Sequence, residues 1–203
     1  MKQKINCNWH RYVDLGLPSG LLWATCNVGA SEPWESGLYF SWGNVDGHKK
    51  DSGYDFGTSN DRPYATTPGA SLTGNIPVNA EYDAARANIG GSWRMPTKDE
   101  FQELRGNCTR KWTTQNGING MLFISNINGN SVFFPAAGLY IESTLSYKGE
   151  YGYYWSSSLH LQTDAYYLTF YNPQVYTYRF YGYTIRAVLD HPKDSLLIKK
   201  LKR

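Results

Sequence analysis

Cysteine is scarce in this 203-residue chain, which contains only Cys7, Cys26 and Cys108. An odd number of widely spaced cysteines does not build a disulfide framework, and no CxxC pair or nearby histidine suggests a zinc site. We therefore expect no metal site and no cofactor. Cys26 and Cys108 lie beside apolar residues and are interpreted as buried thiols, although a single bridge between two of the three cysteines stays open.

Long apolar runs are also missing, and only 18% of the residues are charged. Residues 1–8 contain no apolar segment, so we expect no secretory signal in this chain, and no stretch has the length of a membrane span. The formal net charge is +3, but residues 191–203 alone carry +4, which leaves −1 for the rest. A globular part without excess positive charge gives no support to nucleic-acid binding.

Tyrosine, by contrast, is abundant, and ten of the 17 tyrosines lie in the tract 151–188. Side chains alternate between the two faces of a strand, so a strand from Ala165 to Tyr171 would have two distinct faces. One face would carry Tyr166, Leu168 and Phe170. The other would carry Tyr167, Thr169 and Tyr171. A second strand, Val175 to Phe180, would place Tyr176, Tyr178 and Phe180 together.

Tyrosine combines broad contact area with few rotatable bonds and a hydroxyl that tolerates water, which suits a recognition surface. The tract therefore predicts a binding surface, although tyrosine-rich strand pairs are also ordinary structural material. If the surface is exposed and replaceable, a defined set of side chains should be accessible, namely Tyr167, Thr169, Tyr171, Tyr176, Tyr178 and Phe180. The frame beneath should be buried, namely Trp155, Leu168, Phe170 and Ile185.

Turn and cap signals predict a mixed α and β domain. An N-terminal hairpin is indicated by strands at Tyr12 and at Leu21 to Thr25 around the turn Pro18 to Gly20. Residues 45–78 are rich in turn formers and are interpreted as a long loop. A helix over 80–88 would be capped by Asn79 and closed by Gly90-Gly91.

The clearest local signal is the capping box from Thr97 to Glu100, which predicts a helix beginning at Lys98 and ending near Gly106. Asn128-Gly129 predicts a hairpin between strands at Met121 to Ile124 and Ser131 to Phe134. We expect a single domain over residues 1–190, with a basic tail at 191–203, and the N-terminal hairpin packed beside the last strand.

Five sequence blocks resemble the Fibrobacter succinogenes major paralogous domain over roughly residues 11–189. They are Tyr12 to Gly20, Trp23 to Ala30, Gly91 to Thr97, Tyr154 to Ser157 and Gly182 to Arg186. The resemblance implies an α+β, C-type lectin-like fold related to formylglycine-generating enzymes, with two short helices and small antiparallel sheets. It further implies likeness to variable proteins of diversity-generating retroelements, in which adenine mutagenesis rewrites a C-terminal segment.

On that resemblance, one set of residues matches the family's fixed pattern and should be scaffold: Tyr154, Trp155, Ser156, Ser157, Ala165, Leu168, Phe170, Arg179, Gly182, Ile185 and Arg186. A second, interspersed set should vary and bind ligand: Leu159, His160, Leu161, Tyr167, Thr169, Tyr171, Gln174, Tyr176, Tyr178, Phe180 and Tyr181. The implied partner is a protein or glycan, and a phage virion and a bacterial cell surface both stay open as locations.

Two departures limit what the resemblance implies about activity. Asn172-Pro173-Gln174 lacks the carboxylate that a calcium-dependent sugar lectin would use. A sulfatase-activating enzyme would require cysteines late in the chain, and here no cysteine follows Cys108. His160 has no carboxylate neighbour closer than Asp164, so no catalytic residues are predicted. A non-enzymatic binding protein is favoured, with a non-diversified adhesive protein or an enzyme on the same scaffold as alternatives.

Overall fold

A computed structural model describes residues 11–57, 72–76, 81–172 and 175–190. In that part of the chain, two helices and eleven strands form a mixed α+β structure with small antiparallel sheets, which confirms the predicted class. The helices are α1 (Ala84–Ile89) and α2 (Lys98–Asn107). The strands are β1 (Tyr12–Asp14), β2 (Leu22–Asn27), β3 (Cys108–Gln115), β4 (Ile118–Ser125), β5 (Ser131–Pro135), β6 (Leu139–Ile141), β7 (Thr144–Ser146), β8 (Tyr153–Leu161), β9 (Asp164–Thr169), β10 (Val175–Tyr178) and β11 (Arg186–Leu189).

The first and last strands meet in one sheet, in the order β1-β2-β11. Tyr12 pairs with Ala24 across the N-terminal hairpin, and Leu189 pairs with Leu22 on the other side of β2. The predicted hairpin and its contact with the last strand are therefore confirmed. The basic tail after this sheet, 191–203, lies outside the described residues.

Helix α2 begins at Lys98, as predicted, because both hydrogen bonds of the capping box are formed. The Thr97 hydroxyl accepts the Glu100 backbone N–H at 3.2 Å, and the Glu100 carboxylate accepts the Thr97 N–H at 2.8 Å. The same carboxylate pairs in bidentate fashion with Arg94, which also binds Asp190 at 2.7 Å. The expected stop at Gly106 is wrong, since the helix runs through Asn107 directly into β3.

Helix α1 is shorter than predicted. It begins at Ala84 because Asp83 is its N-cap, with a side-chain oxygen 3.0 Å from the Arg86 N–H, and the predicted cap Asn79 lies outside the described residues. The same carboxylate accepts the Met95 N–H at 3.0 Å, which joins α1 to the segment before α2. Gly90 closes the helix at φ 84°, as expected.

The hairpin through Asn128-Gly129 is confirmed as β4 and β5, but the sequence pattern did not reveal β3. That strand is mostly exposed and has no apolar alternation, so only its turn marks it. The turn residues Asn116 and Gly117 both have positive φ, at 48° and 80°. This is the Asn-Gly combination that two-residue hairpin turns favour.

Two hydrophobic cores lie on opposite faces of the sheet β10-β9-β8. One core takes Tyr154, Leu168 and Phe170 together with α2, β4 and β5 residues. The other takes Trp155 and Ala165 with residues of irregular segments. Trp155, Leu168, Phe170 and Ile185 are all buried, which confirms the predicted frame.

Both described cysteines are free thiols, so a Cys26–Cys108 bridge is excluded and Cys7 lies outside the described residues. Cys108 is buried as predicted, and its burial raises the pKa of the thiol to about 11. Cys26 is only half-buried, which corrects the expectation for that residue.

Candidate recognition surface

The register between β9 and β10 decides which tyrosines share a surface. Tyr176 lies opposite Tyr166, and Val175 lies opposite Tyr167. Residues directly opposite each other project from the same face of a sheet. Tyr176 therefore shares a face with Tyr166, and Tyr167 projects from the other side. The single platform expected from the sequence is divided between two faces.

On the first face, His160, Tyr166 and Tyr176 form a compact group, called here the histidine–tyrosine cluster. The His160 Nδ1 lies 2.8 Å from the Tyr166 hydroxyl, and its ring stacks on Tyr176 with centroids 3.7 Å apart. The Lys98 ammonium lies 4.7 Å from the centre of the Tyr166 ring, a cation–π distance. Tyr176 is 54% exposed, so the cluster presents an aromatic edge to solvent.

A second exposed group joins the end of β9 to the segment before β8. Tyr147, Tyr151 and Tyr171 are exposed, and the ring of Tyr151 lies 5.7 Å from each of the other two in edge-on geometry. This exposed tyrosine group includes Tyr147 and Tyr151, which the sequence reasoning did not select as ligand-binding. Neither belongs to an alternating strand pattern, so periodicity carried no signal for them.

Tyr167 belongs to a half-buried aromatic column instead of an exposed platform. Its ring lies 4.9 Å from that of Tyr183 and 5.9 Å from that of Tyr153, and it packs edge-on against Trp155. Burial raises the pKa of Tyr167, and it raises the pKa of Tyr153 to about 12. Tyr181 packs on Tyr183 and extends the column towards Phe180.

Two residues expected to be exposed are buried, which corrects the prediction for them. Thr169 is 7% exposed because it shares the Tyr167 face of β9 and pairs with Tyr153. Phe180 is 4% exposed because it follows the end of β10 and lies under Tyr178, with ring centroids 5.4 Å apart. Tyr171, Tyr176 and Tyr178 are exposed as predicted.

The remaining residues predicted to bind ligand are also divided between exposed and half-buried positions. Leu161 is exposed at the end of β8, whereas Leu159 is half-buried and packs against the second core. His160 and Tyr181 are half-buried, and Gln174 lies outside the described residues. Among the described members of the predicted set, the four residues clearly open to solvent are therefore Leu161, Tyr171, Tyr176 and Tyr178.

Arginine side chains from the frame hold the backbone beneath the exposed tyrosines. Arg105 of α2 donates to the carbonyls of Thr169 at 2.7 Å and Tyr171 at 3.4 Å. Arg110 of β3 donates to the carbonyl between them, that of Phe170, at 3.0 Å. Carbonyl acceptors are present whatever the side chain, so this anchoring does not depend on which residues the segment carries.

The buried Arg179 holds the β8–β9 turn in the same way. Its guanidinium donates to the Gln162 carbonyl at 2.9 Å and lies 4.4 Å from the centre of the Trp42 ring. Its backbone N–H donates to the Thr163 carbonyl at 3.1 Å. Arg186, also buried, donates to two further backbone carbonyls. Both arginines are buried, as expected of scaffold.

No family model, curated protein or solved structure compared with the chain gave a match. In the part of the chain that the structure describes, no group of His, Cys, Asp or Glu residues could hold a metal ion. No described helix has the length and apolarity to span a membrane. The function is therefore inferred from the chain's own residues.

Proposed function

We propose that this chain is a non-enzymatic binding protein with a C-type lectin-like fold, a variable protein of a diversity-generating retroelement that recognises a protein or glycan. One observation carries the proposal: exposed aromatic side chains of the tract stand on a backbone held by arginines of the frame. Such a surface can change its side chains without losing its shape. That is the property a diversified binding surface needs.

The positions of the resembling sequence blocks support the fold assignment. Tyr12 to Gly20 forms the first strand and the turn of the N-terminal hairpin, and Arg94 to Thr97 leads into the capped helix α2. Tyr154 to Ser157 forms the buried start of β8, while Gly182 to Arg186 makes bridges to neighbouring segments. These four blocks therefore form strands, a turn, a helix cap and bridges within the framework, which supports their assignment as fixed residues.

Two aromatic patches support a recognition role. The exposed tyrosine group and the histidine–tyrosine cluster each expose large amphipathic rings that the cores do not need. Tyrosines of this kind commonly dominate the energetics of protein interfaces. Tyr178, also exposed, flanks the half-buried column through its contact with Phe180.

The neighbouring DNA tests diversification. We expect a near-copy of the codons for Tyr153 to Arg186 beside a reverse transcriptase gene, differing mainly at adenines. Differences should concentrate in codons of exposed residues such as Tyr171 and Tyr176. A locus without such a copy would contradict diversification and favour the adhesive protein with a fixed surface.

Binding is tested on two arrays, one of glycans and one of bacterial surface proteins. The wild-type chain is compared with the triple variant Tyr171→Ser, Tyr176→Ser, Tyr178→Ser. We expect the array components bound by the wild type to be lost by this variant, because aromatic anchors supply most interface energy.

The matched control replaces three similarly exposed residues outside the tract: Tyr12→Ser, Trp112→Ser and Ile127→Ser. It should bind as the wild type does. Equal loss in both triple variants, or retained binding in the tract variant, would contradict the proposed surface. Circular dichroism of both variants verifies that any loss occurs in a folded protein.

A further inference from the structure

An open cleft of about 490 Å³ lies outside the tyrosine tract, between the segments 29–37 and 49–50, the start of β4 and Lys148. Its size falls in the range of small-molecule sites. Four of its lining residues supply the charge and the flat surface that a ligand could contact: Trp34, Lys49, Lys50 and Lys148. None of them has a part in the proposed recognition surface.

Hydrogen bonds and close packing fix the shape of one wall. Asn27 Nδ2 donates to the Ser36 carbonyl at 2.9 Å, and the Leu38 N–H donates to the Val28 carbonyl at 2.8 Å. Gly37, at φ 73°, lets these segments approach, since a Cβ there would lie 2.3 Å from the Val28 oxygen. This wall is therefore formed before any ligand arrives, which lowers the cost of binding.

The charge of the lining is positive. The lining includes three lysines and one carboxylate, that of Glu35, which leaves +2, and Asp51 beside the lining pairs with Lys50 at 3.1 Å. The Glu35 carboxylate is already used within the loop, where it accepts the Ser31 N–H at 2.7 Å and the Glu32 N–H at 3.3 Å. Within the described ranges, Lys49 and Lys148 form no salt bridge, and the Lys50–Asp51 pair is exposed to solvent.

The lysines are close enough to affect one another. Removal of water from around the Lys148 ammonium lowers its pKa, and the neighbouring Lys50 charge lowers it further, while the Asp51 carboxylate acts in the opposite direction. An anion between the two lysines would raise that pKa by supplying opposite charge. Lysine, a compact point charge with three donors, is a common ligand of phosphate groups.

Trp34 gives the cleft a flat apolar wall. It is half-buried but belongs to none of the three hydrophobic clusters of the described residues, so core packing does not account for it. Its side chain lines the cleft beside the lysines. An indole in this position can stack on a planar ring of a ligand.

We propose that this cleft binds a small organic phosphate, with the phosphate dianion held by Lys49, Lys50 and Lys148 and a planar ring stacked on Trp34. The excess of lysines over carboxylates in the lining favours an anionic ligand. A nucleoside monophosphate and a simple aromatic phosphate share this chemistry. The site is independent of the tyrosine surface, so either proposal can fail without the other.

Calorimetry on the full chain tests the site with four probes: phenyl phosphate, adenosine monophosphate, inorganic phosphate and phenol. We expect one-to-one binding of phenyl phosphate with a Kd of about 1 mM or below, weaker binding of inorganic phosphate and none of phenol. Tighter binding of adenosine monophosphate than of phenyl phosphate would identify a nucleotide as the source, and the reverse order a simpler aromatic phosphate.

The double variant Lys49→Gln, Lys148→Gln should weaken phenyl phosphate about tenfold or more, because two charge-assisted contacts are lost. Lys111→Gln, an exposed lysine of β3, is its control and should change nothing. Trp34→Leu should weaken phenyl phosphate while leaving inorganic phosphate unchanged, whereas Trp112→Leu should affect neither.

Absence of saturable binding by wild type would overturn the proposal, as would equal weakening by Lys111→Gln or indifference to Trp34→Leu. If Trp34→Leu fails to fold, an NMR titration of the wild type, which follows the indole N–H signal of Trp34, takes the place of this variant. That signal should shift with phenyl phosphate and not with inorganic phosphate. The variant Tyr171→Ser, Tyr176→Ser, Tyr178→Ser should bind phenyl phosphate normally.

Discussion

Two tyrosines on neighbouring strands of the tract have opposite surroundings. Tyr176 stacks on His160 at the surface, whereas Tyr167, on the other face of the sheet, packs against Trp155 and Tyr183. The second environment removes water from the phenol, which is why burial raises the pKa of Tyr167. Residue type alone therefore does not separate recognition residues from supporting ones.

Single serine substitutions should measure that difference. Tyr176→Ser should change the free energy of unfolding by no more than about 0.5 kcal/mol, as surface changes usually do. Tyr167→Ser should cost about 2 kcal/mol, because it removes a half-buried ring from the second core. Urea unfolding of both variants measures the two values. Equal costs would contradict the assignment of the two residues to different faces.

At the level of elements, alternation correctly grouped the β9 residues by face, but the face expected to be open to solvent holds the buried Thr169, and the alignment between strands was not available from the pattern. Leu168 and Phe170 are buried as predicted, since Leu168 of β9 and Phe170 just after it both pack into the first core. Whether Tyr176 joins Tyr166 or Tyr167 depends on the register of β10, and a shift of one residue reverses every face. The connection between the strands sets that register, and no periodic pattern encodes it.

Local sequence signals located element boundaries more accurately where a residue stabilises the nearby backbone directly. The capping box at Thr97 located the start of α2, and Asn-Gly located the β4–β5 turn. The start of α1 was missed because its cap, Asp83, is buried and also binds the Met95 N–H from a distant segment. A cap that depends on a tertiary contact leaves no local pattern.

The helix cap gives a second prediction. Thr97→Ala removes the hydroxyl that accepts the Glu100 N–H and should lower the free energy of unfolding by about 1 kcal/mol. Ligand binding should not change, because Thr97 lies outside both aromatic patches. Thr97→Ser, which keeps the hydroxyl, should recover most of the loss in urea unfolding. A change in ligand affinity without loss of stability would count against a structural role.

Arg105, which anchors the backbone near Tyr171, gives a third prediction. Arg105→Gln removes charge-assisted donors to the Thr169 and Tyr171 carbonyls, and losing such bonds costs about 1.5–3 kcal/mol. The effect on ligand binding should exceed that of Lys111→Gln, an exposed β3 residue, because the backbone under Tyr171 is no longer held. Urea unfolding and the array measurement report the two effects. Unchanged binding and stability would show that the segment does not need this anchor.

Across the whole molecule, buried tyrosines join the small sheets to irregular segments. The Tyr39 hydroxyl donates to the Ala137 carbonyl at 2.7 Å, and the Tyr154 hydroxyl donates to the Pro135 carbonyl at 2.6 Å. Tyr183 stacks on Trp155 with centroids 4.3 Å apart. Because each described sheet has at most three strands, these contacts carry much of the cohesion that a large sheet would otherwise supply.

That network predicts a loss of stability in alkali. Burial raises the pKa of Tyr154 to about 12 and that of Tyr183 well above its ordinary value of 10.0. Above pH 10 the unfolded chain releases phenolic protons that the folded chain retains, so unfolding becomes more favourable as pH rises. The stabilising effect is complete below pH 10 and is lost as pH approaches the folded pKa values.

The contribution of these tyrosines to the urea midpoint should therefore be nearly constant from about pH 8 to 9.5, and the midpoint should fall steadily above about pH 10. Arg105 and Lys148 have lowered pKa values, which act with the opposite sign, so phenolate absorbance is followed in parallel to isolate the tyrosines. Tyr154→Phe removes one buried phenol and should reduce the slope above pH 10. If phenolate absorbance developed fully near pH 10 while the protein stayed folded, the buried tyrosines could not be the groups that hold the segments together.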